Sequence, residues 1–342
     1  MGYIRDALYY WDMKFQTFLW SIIVAILGFA LAYMWGGIQG LALASLLALL
    51  EITLSFDNAV VNATVLKRMS PDWQTRFLIW GIPIAVFGAR VILPIIIIAA
   101  SAWVSPLIIA TLALSDTKAY GALVVSAHDG INAFGGAFLL LVSLKYFFDK
   151  SKTLHWIQSL ERHLAKWGRI EAIEIAIALV VVTVLSFFVE VDHRSTVLVA
   201  GMIGVTLFIF IEGFMSAFRV EAADAGKEGL ALFLYLNVLD SAFSLDGVVG
   251  AFALSSDLII IIVGLSIGAF FVRSLTIALV RARTLESLVY LEHGAHWAVF
   301  GLAVAMLVGL VVHIPQTVVG FIGVFFITLA YRSSRRRAIP TP

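Results

Sequence analysis

The chain contains no cysteine, which excludes disulfides, thiolate metal sites and cysteine nucleophiles. Charge is scarce as well: 13% of residues are charged against 61% hydrophobic. With a mean hydropathy of +1.01 over 342 residues, the balance is that of a polytopic all-α membrane protein with one transmembrane body, not of soluble domains. The net charge of +1 says nothing about partners beyond the lipid bilayer, and nucleic acid is not expected. A basic signal-peptide segment is also lacking. Arg5, Asp6, Asp12 and Lys14 are of mixed sign and Ala30-Leu-Ala32 alone is a weak cleavage match, so 15–35 reads as a retained helix.

What is present is a series of apolar runs long enough to span a bilayer, at about 15–36, 40–66, 75–100, 129–149, 170–190, 196–218, 229–254, 257–281, 294–312 and 315–331. These predict ten helices. Positive charge clusters at Lys67, Arg68 and Arg76; at Lys145, Lys150, Lys152, Arg162, Lys166 and Arg169; at Arg281 and Arg283; and at Arg332, Arg335, Arg336 and Arg337. With both termini inside, every cluster falls on the cytoplasmic side, which predicts a multi-pass protein of a bacterial cytoplasmic membrane. Five helices per half is odd, so the halves are expected to be inverted. Residues 1–169 hold helices 1–4 and a linker (150–169), 170–195 hold helix 5, and 196–342 hold the second repeat, helices 6–10, with a basic tail. Residues 103–114, short and containing Pro106, read as re-entrant or interfacial. The linker places Leu154, Ile157, Leu164 and Trp167 near helical spacing among basic residues and reads as a helix lying on the membrane.

Two near-copies of one acidic pattern sit in the second and seventh runs. Glu51-Ile-Thr-Leu-Ser55-Phe-Asp57-Asn58 is matched by Asp240-Ser-Ala-Phe-Ser244-Leu-Asp246-Gly247. Each ionised side chain at bilayer mid-depth costs about 3 kcal/mol or more, which makes four acids merely bonding between helices the weaker reading. Glu51, Ser55, Asn58 and Asn62 form one helical stripe, and Asp57 lies about 120° off it. Breaks in helices 2 and 7 are therefore expected, letting Glu51, Asp57, Asp240 and Asp246 converge on one midplane cavity. Carboxylate, amide and hydroxyl oxygens favour Mn²⁺, with Ca²⁺ or Mg²⁺ as alternatives, and Asn58, Ser55, Ser244 and Asn62 would complete the shell. No organic cofactor is implied. Four acids give −4; Arg90 and Arg273, on helices 3 and 8, give +2. The remaining −2 matches one divalent ion, and the arginines are read as gates or ion-pair partners.

The helices after the arginines open on similar segments. His128-Asp129-Gly130-Ile-Asn132 begins helix 4, and Glu292-His293-Gly294-Ala-His296 begins helix 9. Asp129, Glu292, His293 and His296 are candidates for gating, ion pairing or proton acceptance. Interfacial caps are slightly favoured, except at His296, one turn deeper than Glu292. Lys145 and Glu212 are read as snorkelling or pairing side chains, and Glu221, Asp224 and Glu228 as ordinary loop charges.

The two acidic segments resemble the paired motifs of the TerC family of integral membrane proteins. Phe134-Gly-Gly-Ala-Phe-Leu-Leu and Tyr290-Leu-Glu-His-Gly-Ala-His-Trp are similar to a branch of that family filed as a domain of unknown function. The resemblance covers roughly residues 40–330. It implies a lysine-exporter-like transporter fold and manganese efflux, including metal supply to exported proteins, in a family named for tellurium resistance. Glu51, Asp57, Asp240 and Asp246 carry over. The second copy departs with Gly247 where the first has Asn58 and no polar residue matching Asn62, so the site is asymmetric.

The expectation is thus a divalent-cation transporter, a Mn²⁺ exporter with protons as a candidate counter-ion, and not an enzyme. The competing classes are an intramembrane metal-dependent or aspartyl hydrolase and an organic-solute (amino-acid) exporter. Against the first, the chain has no Gly-x-Gly-Asp segment. Arg90 and Arg273 keep the second open, because an amino-acid cargo needs groups of both signs. Tellurite is disfavoured as cargo, since four carboxylates repel an oxyanion. Oligomeric state is not legible.

Overall fold

A computed structural model describes residues 2–102, 104–220, 225–255, 257–281 and 284–338. Glu221, Asp224 and Arg283 lie outside the described residues, as do the side chains of residues 1–16 and of Asp246. The protein is an all-α, polytopic membrane protein. Seven helices among the described residues are long and apolar enough to cross a bilayer.

The first helical element, α1 (Gly2–Leu54), is two legs and not one rod. Gly37 has φ 61° and ψ −149°, backbone that glycine adopts without penalty. A Cβ placed on Gly40 would lie 2.6 Å from the Ala32 carbonyl oxygen, whereas residues eight apart in a straight helix are about 12 Å apart. The chain therefore reverses at Gly36-Gly37, and the two runs expected at 15–36 and 40–66 lie side by side. The second leg stops at Leu54. After Ser55, α2 (Phe56–Leu66) begins, with Asp57 in its first turn, where an acid meets the positive end of the helix dipole.

The third run is three consecutive pieces. α3 (Pro71–Pro83) starts on Pro71 and ends in Pro83. A π-helical segment (Ile84–Ile92) carries Arg90, and α4 (Leu93–Ala102) follows. Pro83 lacks the N–H that an α-helix needs there, and widened turns of this kind occur mostly at functional sites. Two ten-residue helices come next, α5 (Pro106–Ser115) and α6 (Thr117–Ser126), capped by Ser105 and Asp116. Neither is long enough to span, which agrees with the expectation for 103–114; Trp103 is outside the described residues.

α7 (His128–Phe147) is almost wholly buried and forms the post around which the rest packs. α8 (Gln158–Trp167) is the linker helix, α9 (Ile173–Ser186) is 14 residues long, and a 3₁₀ turn at Val191–His193 leads into α10 (Arg194–Val220). α11 (Ala225–Leu254) and α12 (Leu258–Arg281) follow, then the short α13 (Thr284–Ser287), α14 (Leu291–Val308) and α15 (Gln316–Ala338).

Helix 7, expected to break near Asp246, does not: α11 is continuous from Ala225 to Leu254. Asn237 Nδ2 donates to the Phe233 carbonyl and Ser241 Oγ to the Asn237 carbonyl, each at 2.7 Å. These two donors bond back along the intact ladder and do not replace it. Gly247 permits a break but nothing there starts a new helix.

Small residues set the packing, as they do where lipid gives no hydrophobic push between helices. Gly264 and Gly268 of α12 lie against the second leg of α1. A Cβ on Gly264 would meet Ala44 O at 2.9 Å, and one on Gly268 would meet Glu51 Cβ at 2.5 Å. Gly135 and Gly136 admit Met306 and Leu307, joining α7 to α14. The outcome is that α12 packs on α2 while α11 packs on the π segment. Each half thus contributes an acid-bearing helix that meets an arginine-bearing helix of the other half.

Candidate metal-binding site

A buried cavity of about 40 Å³ lies where these four elements meet, lined by Glu51, Ser55, Asn58 and Asn62 from one half and by Asp240 and Ser244 from the other. Arg90, Arg273 and Phe77 complete its wall. The stripe Glu51, Ser55, Asn58 and Asn62, read from helical pitch, does face one space, and the break after Leu54 does not scatter it. At the break, Ser55 Oγ donates to Glu51 Oε1 at 3.0 Å. Arg90 donates to the same oxygen in a buried ion pair. Asn62 Nδ2 donates to Asp240 Oδ1 at 2.5 Å, so the first half orients the second half's acid as well as its own.

Two expectations are corrected. Asp57 does not join this cavity. It faces a separate void of about 10 Å³ lined by Leu54, Phe243, Gly247, Leu302, Val319 and Gly323. The break is a single non-helical residue, Ser55, with φ −100° and ψ 15°, too small a swerve to carry Asp57 around onto the stripe. Asp246 cannot be placed, since its side chain lies outside the described residues. The charge count changes with this. Among the described residues the cavity holds Glu51 and Asp240 against Arg90 and Arg273, a balance of zero.

The donor set remains that of a hard cation. Among the described residues, Asn58 Oδ1, Asn62 Oδ1 and Ser244 Oγ are buried without a hydrogen-bond partner, an unfavourable state for polar oxygens unless something charged or wet meets them. With the Glu51 and Asp240 carboxylates they supply oxygens of the kind that Mn²⁺, Ca²⁺ and Mg²⁺ take. No group of three or more Asp, Glu or His side chains placed to hold a metal ion occurs among the described residues, so any cation here draws on neutral oxygens. Arg273 lies 4.0 Å from the Phe77 ring centre, and its Nε and Nη2 have no hydrogen-bond partner among the described residues.

Gly247 owes its identity to this site. A Cβ there would lie 3.3 Å from Glu51 Oε2, so the residue that replaces the amide of Asn58 in the second copy makes room for the first copy's acid.

A larger space of about 560 Å³ opens one to two turns away, lined by Val61, Thr64 and Val65 of α2 and by Leu232 and Tyr235 of α11. Glu292 and His296 line it, with Arg68, Lys145, Glu174 and Glu212. Lys145 Nζ lies 3.4 Å from Glu212 and 3.7 Å from Glu174, which is the pairing expected of it. His296 stacks on Tyr146 at 3.5 Å between ring centres, and Lys152 Nζ sits 3.0 Å above the same ring. Burial lowers the Lys152 amine to about 8.

His293 parts from its neighbours. It faces Glu161 of α8, a residue that nothing in the sequence singles out. Glu161 is buried at 1% exposure and accepts from His293 Nδ1 and Trp297 Nε1, both at 2.9 Å, and from the Trp156 backbone N–H at 3.0 Å. Burial pushes its carboxyl up, but these bonds and the His293 charge outweigh it and hold it lowered to about 2. The linker helix is thereby latched to α14. At the opposite end of α7, Asp129 pairs with His193 Nδ1 at 2.5 Å and His128 Nδ1 at 3.5 Å, tying the 3₁₀ turn to the start of α7 as an interfacial cap would.

A family model described as a protein of unknown function (DUF475) matches residues 56–339. The chain belongs to the DUF475 family. No curated protein and no solved structure matches it. The DUF475 match takes in α2 with Asp57 and everything after it, including Asp240, both arginines and the α8 latch, while Glu51 and the α1 hairpin precede it.

Proposed function

We propose that this DUF475 protein is a divalent-cation transporter of the bacterial cytoplasmic membrane, exporting Mn²⁺ by alternating access of two inverted halves. The observation that carries the reading is the set of unpartnered oxygens of Asn58, Asn62 and Ser244 around Glu51 and Asp240. The resemblance to TerC proteins and the hard character of the donors favour Mn²⁺ among the candidates.

Size argues against an amino acid as cargo. A water needs about 10–15 Å³ by this measure, so a cavity of about 40 Å³ has room for roughly three waters, or for one ion with part of its hydration, but not for lysine. The zero charge balance fits a carrier between loads. Arg90 and Arg273 offset the acids when no ion does, and Arg90 must leave Glu51 before an ion can take that oxygen. The space beside Glu292 and His296 serves as the vestibule, on the side that the positive clusters assign to the cytoplasm. Asp57, on the far side of the Ser55 break, is the next acid along the path.

Proteoliposomes loaded with a metal-sensitive dye test this. Asp240→Asn and Glu51→Gln are expected to abolish Mn²⁺ movement, and Asn62→Ala to weaken apparent affinity about 10–100-fold by releasing the Asp240 carboxylate. Parent-like transport by Asp240→Asn would show the site to be wrongly assigned.

A further inference from the structure

A second cavity, of about 380 Å³, lies on the outside of α2 and is apolar throughout except for Thr328 and Tyr331. Its volume is within the roughly 300–1,000 Å³ of small-molecule sites. Phe56 and Val60 of α2 form one wall, and Leu288 and Leu291 are buried on another. Val324 and Tyr331 stand exposed at its rim on α15, at 36% and 46%.

Its position says what fills it. From Val324 to Tyr331 is about 10 Å along a helix, within the ~15 Å half-thickness of a bilayer core. The groove therefore lies within one leaflet, facing acyl chains. Tyr331 sits at the end where an interfacial aromatic belongs. The stripe Thr328, Tyr331 continues on the same helix face to Arg332 and Arg335, by i+4 spacing. Both arginines are exposed, and neither has a partner among the described residues, whereas Arg337 is taken up by the Tyr290 hydroxyl at 3.0 Å.

We propose that this groove binds one acyl chain of an anionic phospholipid, with the headgroup on Arg332 and Arg335. Phe56 and Val60 are about 200° around α2 from Asn58 and Asn62. A bound chain therefore braces the half-helix from outside, directly behind the face that lines the central cavity. The inference does not depend on what the central cavity carries.

Native mass spectrometry of the full chain, released from detergent micelles containing phosphatidylglycerol or phosphatidylcholine with the same acyl chains, tests it. Two surface arginines should favour the anionic lipid by about 30-fold. Arg332→Gln with Arg335→Gln should equalise the two lipids, and Thr328→Trp, which blocks the rim, should abolish retention of both. Equal retention of the two lipids by the parent overturns the headgroup assignment, and parent-like retention by Thr328→Trp overturns the groove. Circular dichroism verifies the fold of each variant, and Val324→Phe carries the same rim test if Thr328→Trp does not fold.

Discussion

Glu51 is held in place by absences as much as by contacts. Gly247 leaves room for its Oε2, and Gly268 leaves room for its Cβ. A methyl group at Gly268 would also press on the Ala48 carbonyl at 2.9 Å, which cannot swing aside. Gly268→Ala is expected to cost about 1–3 kcal/mol by overpacking, read as a lowered midpoint of thermal unfolding in detergent. Gly213, with open space around it, is the control. Gly213→Ala should be neutral or stabilising by up to about 1 kcal/mol through helix propensity, and equal losses at both positions would refute the packing account. The carboxylates, the amides and their stripe are legible in the sequence because helical pitch and the cost of buried charge are local rules. That Gly247 serves Glu51 is not, because the contact joins residues from opposite halves and leaves no trace in spacing. The Gly264-x-x-x-Gly268 spacing is a legible signal of close helix approach, although it does not say which helix approaches.

Among the elements, α8 departs furthest from what its sequence suggests. Its basic residues and scattered apolar ones read as a helix resting on the membrane, and nothing in that pattern singles out Glu161. Instead Glu161 is the buried pin of a latch onto α14, and only the tertiary partners His293 and Trp297 reveal it. Glu161→Gln keeps the shape but removes the charge, and is expected to cost about 2–3 kcal/mol, as for loss of charge-assisted hydrogen bonds. Amide hydrogen exchange over 155–167 should rise, with little change in α7. The pH dependence has a definite sign. The folded carboxyl is lowered from 4.5 to about 2, so its stabilisation is complete above the ordinary value and is lost as pH falls between the two. Release of α8 only above pH 7 would contradict the assignment. The two expected breaks divide in the same way. The one after Leu54 is legible from the polar stripe and from Asp57, while α11 runs on unbroken because nothing at Gly247 starts a new helix.

For the molecule as a whole, the polytopic all-α character follows from hydropathy, although seven helices among the described residues are long and apolar enough to cross a bilayer where the runs predict ten. The large space beside Glu292 and His296 does not follow from the sequence, because it arises from where α2, α7, α11 and α14 leave room between them. It opens beside Val65 and Tyr235 and is separated from Asp240 by little more than a turn. Since the chain has no cysteine, single replacements can be labelled without background. Val65→Cys and Tyr235→Cys are expected to react with a membrane-impermeant maleimide from the cytoplasmic side alone, and Ser244→Cys far more slowly. Labelling of Val65→Cys from the opposite side would reverse the assigned orientation.

The zero balance of the four described charges around the cavity has an electrical consequence. Moving one unit charge through a membrane potential takes about 2.3 kcal/mol per 100 mV. Glu51 and Asp240 with Arg90 and Arg273 carry none between them, so in the proposed carrier a swing of the unloaded halves that moves these four groups together is, for their part, indifferent to voltage. Any dependence of that return stroke on membrane potential would therefore report on charges other than these four, with Asp57, which faces a separate void, as the first to replace by Asn.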